Sequence, residues 1–417
     1  MSYELTNAAQ LAAVQSALGT ERRQNENIWT QKVFTSLLSM VGADNTFQTI
    51  HGVPFVGEEV YVRAGFLNDT TSPFTVTYNA FSAGSTVVSN PVNAAGAASP
   101  WSFVSAAAVP AASASWATDG NYGIGYTDWR KVSIPARTDG GQFGLLYHRM
   151  YGSSDFRGPV GNGSQHFNTY PTNIAEIIRS DYQAGVEYVS ANQASFVPTS
   201  GAGVNSEYMP AALIQVVSAR QAFVVGVTGD STSQGYGTDG NHNSFINKAC
   251  RSLTTIAKPV VMLNLAYAGK TSPYFHAMAS KWIDDQLQRP DIMFIQVYSQ
   301  NDGTFTTANC EAAYARAVLL AQKCKSVGVI PVLMTLAPTT FITTSGQDAV
   351  RKTINGYIRG GFYPYLDLDA VFSDGADPAR IISAYTVDGV HHSEAGETAL
   401  VPSVVAVLQA QLARVGF

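Results

Sequence analysis

Charge is what this chain has little of. Asp, Glu, Lys and Arg make up 13% of its 417 residues, about half the ~25% usual in globular proteins. The 25 Lys and Arg are outnumbered by 30 Asp and Glu, for a formal net charge of -5. Such a balance builds no positive field for a phosphate backbone, so no nucleic-acid partner is expected. Cysteine is scarce as well: Cys250, Cys310 and Cys324 are odd in number and show no CxxC spacing, which speaks against a disulfide framework and a zinc site. Long apolar runs are missing. VVMLNLAYAG (260–269) and DIMFIQVYS (291–299) fall short of the roughly 20 residues a helix needs to cross a bilayer, so no membrane span is expected. The opening MSYELTNAAQLAAVQ has an acid at Glu4 and neither the basic nor the apolar portion of a secretory signal. It leads one to expect a cytoplasmic protein, or one released by lysis or assembly.

What is present suffices for a large core. Hydrophobic side chains make up 46% of the chain and aromatic ones 11%, which excludes disorder, coiled coil and collagen and leaves room for two or three domains. Over residues 1–45, Leu11, Val14, Leu18, Val33, Leu37 and Leu38 recur at helical spacing, predicting a helical amino-terminal segment. From 46 to 151 the texture changes to short runs rich in Val, Thr, Tyr and Phe, such as EVYVRAGFL (59–67) and FTVTYNAF (74–81), broken by Gly, Asn, Ser and Pro. That pattern predicts an all-β sandwich or jelly roll. No charged residue falls between Thr70 and Thr118. Such a stretch fits burial against another domain or another subunit, the latter making a homo-oligomer, and equally an ordinary Ser/Thr/Asn-rich surface.

Residues 152–220 read as a connecting region, with a helix around Asn173–Ala184 and a Pro/Gly-rich stretch, VPTSGAGVNSEYMP (197–210). From 221 to 417, runs that read as strands buried on both faces alternate with helical patterns. The runs are AFVVGVTGD (222–230), VVMLNLAYA (260–268), DIMFIQVYS (291–299) and VIPVLMTLA (329–337), and CEAAYARAVLLAQKCKSVG (310–328) is one of the helical patterns. This is an α/β, doubly wound domain on a parallel sheet.

Ligands of an open parallel sheet sit beyond the carboxyl ends of its strands. Asp230-Ser231, Gly269 and Asn301-Asp302 follow three of these strands. A serine hydroxyl needs a base to act as a nucleophile, and VDGVHHSEAG (387–396) offers His391 with Asp388 three residues before it. On a turn, that spacing lets the carboxylate meet Nδ1–H and leaves Nε2 to face the serine. Each signal alone has an ordinary counterpart, since Ser after Asp also starts helices and DxxH also makes turns. The pentapeptide GxSxG does not occur around Ser231, whose second neighbour is Ser233. HHSE lacks the HExxH spacing of a zinc site, and GDSTSQGYG does not form GxGxxG. Neither a metal nor a dinucleotide or other cofactor is expected.

Four blocks in order, GDSTSQG (229–235), NLAYAGKTS (264–272), RPDIMFIQVYSQNDG (289–303) and DGVHHSEAG (388–396), resemble those of the SGNH hydrolases, the GDSL esterases and lipases. The resemblance spans about 221–415. It implies Ser231 as nucleophile, His391 as general base and Asp388 as its orienting carboxylate. It further implies an oxyanion hole from the N–H groups of Ser231 and Gly269 and the side-chain amide of Asn301. The family usually has glycine two residues before that asparagine, whereas this chain has Ser299, whose side chain is expected to narrow the acyl pocket. Asp302 is expected to tie down its loop through backbone N–H groups. Tyr267, Tyr298 and Gln300 are candidate substrate contacts beside these blocks, and strand-end tyrosines are equally ordinary packing residues.

The resemblance implies hydrolysis of an ester. A polar approach to Asn301 and an attached β-domain favour a short acyl group on a polar alcohol, such as an O-acetylated carbohydrate, and that step is analogy at the level of fold. A lipid- or aryl-ester-acting enzyme, and a catalytically silent glycan-binding or phage-tail protein, are the alternatives. Trp101, Trp116 and Trp129 in the β-region suit sugar stacking or a sandwich core equally.

Overall fold

The computed structural model describes residues 28–32, 36–39, 45–68, 70–76, 78–88, 90–104, 106–115, 122–141, 143–152, 157–160, 177–184, 213–218, 220, 222–238, 244–284, 289–415 and 417. Two compact units divide between Ala222 and Phe223.

In the first unit, strands β1 (Ile28–Lys32), β2 (Ser36–Ser39), β3 (Asn45–Val53), β4 (Glu59–Asn68), β5 (Phe74–Val76), β6 (Tyr78–Gly84) and β7 (Ser102–Val104) are followed by β8 (Ala107–Val109), β9 (Gly123–Tyr126), β10 (Arg130–Ser133), β11 (Gly144–Gly152), β12 (Arg157–Val160), β13 (Ile177–Ala184) and β14 (Leu213–Val217). They pair antiparallel in two five-stranded sheets and two ribbons. One sheet runs β1-β14-β4-β10 with β9 also on β4, and the other runs β13-β3-β11-β6-β7. From Ala64 to Leu67 every side chain of β4 that the structure describes is buried, the apolar ones of Ala64, Phe66 and Leu67 among them. Two charges of this unit are used inside it. Buried Arg63 lies 4.0 Å from the ring of Tyr126 and 4.6 Å from that of Trp129, and its Nε donates to Gln215 Oε1 at 2.6 Å. Buried Arg149 faces Trp101 at 4.2 Å and donates to Gln48 Oε1 at 2.5 Å. Trp101 and Trp129 thus pack on guanidinium groups, while Trp116 lies outside the described residues.

Two sequence expectations are corrected here. Leu37 and Leu38, expected on a helix within 1–45, lie in β2, which pairs with β12; β1 pairs with β14. Residues 1–27, including Leu11, Val14 and Leu18, and Val33 lie outside the described residues. The helix expected around Asn173–Ala184 is, over Ile177–Ala184, strand β13 at the edge of β3. Both segments are short, and partners distant in sequence override local periodicity. With β12 and β14, β13 makes the 152–220 stretch a contributor of strands to the sheets and ribbons.

In the second unit, strands β15 (Phe223–Thr228), β16 (Val260–Asn264), β17 (Ile292–Gln296), β18 (Ile330–Met334) and β19 (Tyr365–Leu366) form one parallel sheet in the order β16-β15-β17-β18-β19. Helices α1 (Ser231–Gln234), α2 (Phe245–Leu253), α3 (Ser272–Trp282), α4 (Thr307–Ser326), α5 (Ser345–Arg359), α6 (Leu368–Phe372) and α7 (Glu394–Val415) make the crossovers and the final cover. Val225 sits between Met262 and Ile292. All residues of β15 and β17 are buried, as strands covered on both faces require. Val225, Val227, Phe294 and Val332 share a core with Phe245 and Ala249 of α2 and Leu400, Val404 and Leu408 of α7. This is the expected doubly wound α/β fold. The order of winding reverses at β15, with β16 on one side of it and β17 on the other, so the carboxyl ends of the parallel strands β15 and β17 open onto the crevice where such folds bind ligands.

Candidate active site

Strand β15 ends at Thr228, and Gly229-Asp230 turn the chain into the single helical turn α1. Asp230 caps that turn, its Oδ1 accepting from the N–H and the hydroxyl of Thr232 at 2.9 and 2.7 Å. Behind the turn lies Gln296, the last residue of β17. Its Oε1 accepts from Asp230 N–H at 3.1 Å and from the Ser233 hydroxyl at 2.5 Å, and its Nε2 donates to Tyr298 O at 2.9 Å. A Cβ on Gly229 would lie 2.2 Å from that Oε1, so only glycine lets the turn close on the carboxamide.

Ser231 follows. Its Oγ lies 2.9 Å from His391 Nε2, and His391 Nδ1 lies 2.6 Å from Asp388 Oδ2. An ionised carboxylate only accepts, so Nδ1 carries the proton and Nε2 is left to accept the serine hydroxyl. Asp388 Oδ1 accepts from the N–H groups of Val390 and His391 at 2.9 and 2.7 Å. Burial alone would raise the Asp388 pKa; the backbone N–H and imidazole of His391 and the N–H of Val390 outweigh it and hold it below the usual carboxylate value. The loop is fixed by the Thr386 hydroxyl donating to His391 O at 2.8 Å. Gly389, at φ +82°, sits where a Cβ would come 2.2 Å from Thr340 Cγ2. The ring of Tyr236 packs 4.5 Å from the imidazole. Next in sequence, His392 is buried, with Nδ1 2.9 Å from Glu397 Oε1 and its ring 4.1 Å from that of Phe372. It anchors the loop from within.

Gly269, with φ +72°, is exposed on the loop after β16. Asn301 reaches this loop: its Nδ2 donates to Lys270 O at 3.2 Å and to Ser299 Oγ at 3.1 Å. Both amide hydrogens are therefore engaged, and one bond must open before Asn301 can serve an oxyanion. Asp302 ties the loops together as expected, accepting from Ser272 N–H at 2.7 Å and from Ser299 N–H at 3.1 Å. Ser299 does not narrow a pocket. Its side chain is fully buried and turned toward Asp230 and Asn301, so the expectation drawn from its bulk is corrected.

A small recess of about 30 Å³ opens between the ends of β17 and β18, lined by Thr232, Tyr298, Gln300, Phe305, Leu336 and Val390 among others. Thr232 and Val390 are the chain neighbours of Ser231 and His391. Tyr298 packs 4.6 Å from the ring of Phe305 and donates its hydroxyl to Gly303 O at 3.0 Å; burial pushes its pKa up. Tyr267 is buried edge-on to Tyr274 at 5.6 Å, with Lys270 Nζ 5.1 Å from its ring. Thus Tyr298 and Gln300 line the recess, and Tyr267 packs in the interior. Gln296 escaped the sequence reading; its one signal was an amide at the end of an apolar strand, IMFIQ. Among the described residues, no group of three or more His, Cys, Asp or Glu forms a metal-binding cluster, and no helix is long and apolar enough to cross a membrane.

No protein-family model matches this chain, and no curated protein does. Solved structures do. A member of the lipolytic protein G-D-S-L family from Veillonella parvula is similar at 13% identity and TM-score 0.35, over 45% of this chain and 98% of its own. A psychrotrophic esterase from Pseudoalteromonas is similar at 15% identity and TM-score 0.35, over 45% and 98%. An acetyl-xylooligosaccharide esterase mutant from Geobacillus is similar at 16% identity and TM-score 0.32, over 45% and 94%. About 45% of this chain is thus similar to solved GDSL lipolytic hydrolases.

Proposed function

We propose that the α/β unit is a serine ester hydrolase, with Ser231 as nucleophile, His391 as general base and Asp388 as the carboxylate that orients it. One observation carries this reading: an unbroken chain of hydrogen bonds, Ser231 Oγ to His391 Nε2 at 2.9 Å and His391 Nδ1 to Asp388 Oδ2 at 2.6 Å, beside the reversal point of the sheet. Ser231 Oγ attacks the ester carbonyl as its proton passes to Nε2. The tetrahedral oxyanion is held by the N–H groups of Ser231 and Gly269 and by an Asn301 amide hydrogen released from its resting partner. Collapse breaks the bond to the alcohol oxygen, which takes the proton from Nε2. Water then enters and bonds to the acyl carbon as its proton passes to Nε2, and collapse breaks the bond to Ser231 Oγ, which takes that proton back and frees the acid.

The substrate we propose is a short-chain ester of a polar alcohol, an O-acetylated carbohydrate above all. The small recess with Gln300 at its wall supports the short acyl group. The test compares para-nitrophenyl acetate, butyrate, octanoate and palmitate, for wild type and Ser231→Ala, with acetate release from an acetylated polysaccharide. Activity confined to short chains and lost in the variant is expected. A preference for palmitate argues for a lipid ester, and equal rates in both proteins refute the serine mechanism.

A further inference from the structure

Ser299 is a fully buried hydroxyl with four polar atoms around it. It lies 2.5 Å from Asp230 Oδ2 and 3.1 Å from each of Lys270 O, Asn301 N and Asn301 Nδ2. A hydroxyl has one hydrogen and two lone pairs. The hydrogen goes to the nearest and ionic acceptor, Asp230, and the lone pairs receive the two Asn301 donors. Lys270 O takes the other hydrogen of the Asn301 amide. Asp230 precedes Ser231, Lys270 follows Gly269, and Asn301 is the third oxyanion donor. One hydroxyl therefore lies in contact with the chain neighbours of two donors and with the third donor itself.

We propose that Ser299 is a positioning residue that cross-braces the oxyanion hole and holds the Asn301 amide poised beside the Gly269 loop. The proposal rests on the serine-esterase reading. The Ser299–Asn301 side-chain bond joins neutral groups at 3.1 Å, and a developing oxyanion is the stronger acceptor. The amide hydrogen transfers its bond to the oxyanion in the transition state, while Lys270 O keeps the other hydrogen and so the orientation of the group. Ser299 keeps its bonds to Asp230 Oδ2 and to the Asn301 N–H through the transition state, so what it contributes there is the placement of the Ser231 and Asn301 segments, which falls on the chemical step and leaves ground-state ester binding alone.

Ser299→Ala in the full chain tests this, with wild type and Ser231→Ala alongside on para-nitrophenyl acetate. We expect kcat to fall about 10–100-fold with KM within about twofold, less than the roughly 10²–10³ for outright loss of a donor. Affinity for a boronic acid, which forms a tetrahedral adduct on the serine, should fall by a similar factor. A lowered thermal midpoint with unchanged kcat and boronate affinity overturns the proposal, and so does a kcat at or above wild type. Where Ser299→Ala does not fold, Ser299→Cys keeps the shape of the side chain with a somewhat larger atom, weakens every bond of the brace and is judged by the same readouts. Wild type no faster than Ser231→Ala removes the esterase reading and this proposal with it. An active wild type with an unaffected Ser299 variant removes the proposal alone.

Discussion

His391 Nε2 stands 2.9 Å from Ser231 Oγ across 160 residues of sequence, and Asp388 decides which way that imidazole faces. Asp388→Asn tests the relationship. Because Oδ1 accepts two backbone N–H groups, the amide oxygen of asparagine takes that place and its NH₂ turns toward His391 Nδ1. Nδ1 must then accept, the proton moves to Nε2, and Nε2 no longer takes the serine proton. We expect kcat to fall about 10²–10⁴-fold with KM little changed, as read from initial rates on para-nitrophenyl acetate.

Gln296 and Gly229 should be coupled. Gln296→Ala leaves the Asp230 N–H and the Ser233 hydroxyl without their acceptor in a buried place, at a cost of about 1–3 kcal/mol for each donor left unpaired. Gly229→Ala drives a Cβ to 2.2 Å from the Gln296 oxygen, a strain we place at about 1–3 kcal/mol. The double variant should lose less stability than the two single losses added together, because removing the carboxamide takes away the 2.2 Å clash and frees the Ser233 side chain, the methyl's other close neighbour at 2.4 and 2.7 Å, to turn aside. Urea unfolding of all four proteins measures the coupling, and strict additivity would count against it.

The α/β unit was legible because its strands are covered on both faces and therefore read as unbroken apolar runs. The polar residues that end them, Asp230-Ser231 and Asn301-Asp302, stand out against that background. The β-unit was less so. β2 pairs with β12, and β13 with β3, and neither partnership leaves a local mark, so the spacing of Leu37 and Leu38 and of the 177–184 stretch reads as helical. Within the site, Ser, His and Asp announce themselves by type and position. Gln296 and Ser299 act through bonds to backbone or to another polar group that form only after folding, and nothing in the run YSQND distinguishes a serine that fills a pocket from one buried among hydrogen bonds.

Acid should weaken the α/β unit through His276. This buried histidine donates Nε2–H to Gln296 O at 2.8 Å, and burial lowers its pKa to about 4. Unfolded, it titrates near 6.5. Between those values the unfolded chain binds the proton that the folded one refuses, so stability is lost as pH falls from about 6.5 toward about 4 and levels off below. The full effect is on the order of 3 kcal/mol. His148, lowered to about 3 by burial, and His51, lowered by burial and by His148, act in the same direction in the β-unit. The informative comparison is therefore His276→Gln against wild type in urea at pH 7.5, 5.5 and 4.5. The variant should show the shallower pH dependence, and parallel curves would exclude His276 as a source.

The recess beside Thr232 and Val390 sets acyl length if the chain is the short-acyl esterase proposed, and Leu336 is the residue through which to enlarge it. Leu336 is nearly buried in its wall, and its backbone is pinned on both sides: its N–H donates to Asn355 Oδ1 at 2.7 Å and its C=O accepts from Asn355 Nδ2 at 2.9 Å and Arg351 at 3.0 Å. A backbone so held does not collapse into space left by a shorter side chain. Leu336→Ala should therefore open the recess, at a stability cost of about 2–5 kcal/mol. The ratio of kcat/KM for butyrate over acetate should rise about 10-fold or more, since each methylene accommodated by an apolar wall is worth about 1–3 kcal/mol. Acetate turnover itself should stay within a few-fold, because neither the Ser231–His391 bond nor the Asn301 brace touches Leu336. An unchanged butyrate-to-acetate ratio in a folded variant would mean that the acyl chain lies outside this recess, and that Gln300 and Phe305, which line it with Leu336, do not set its length.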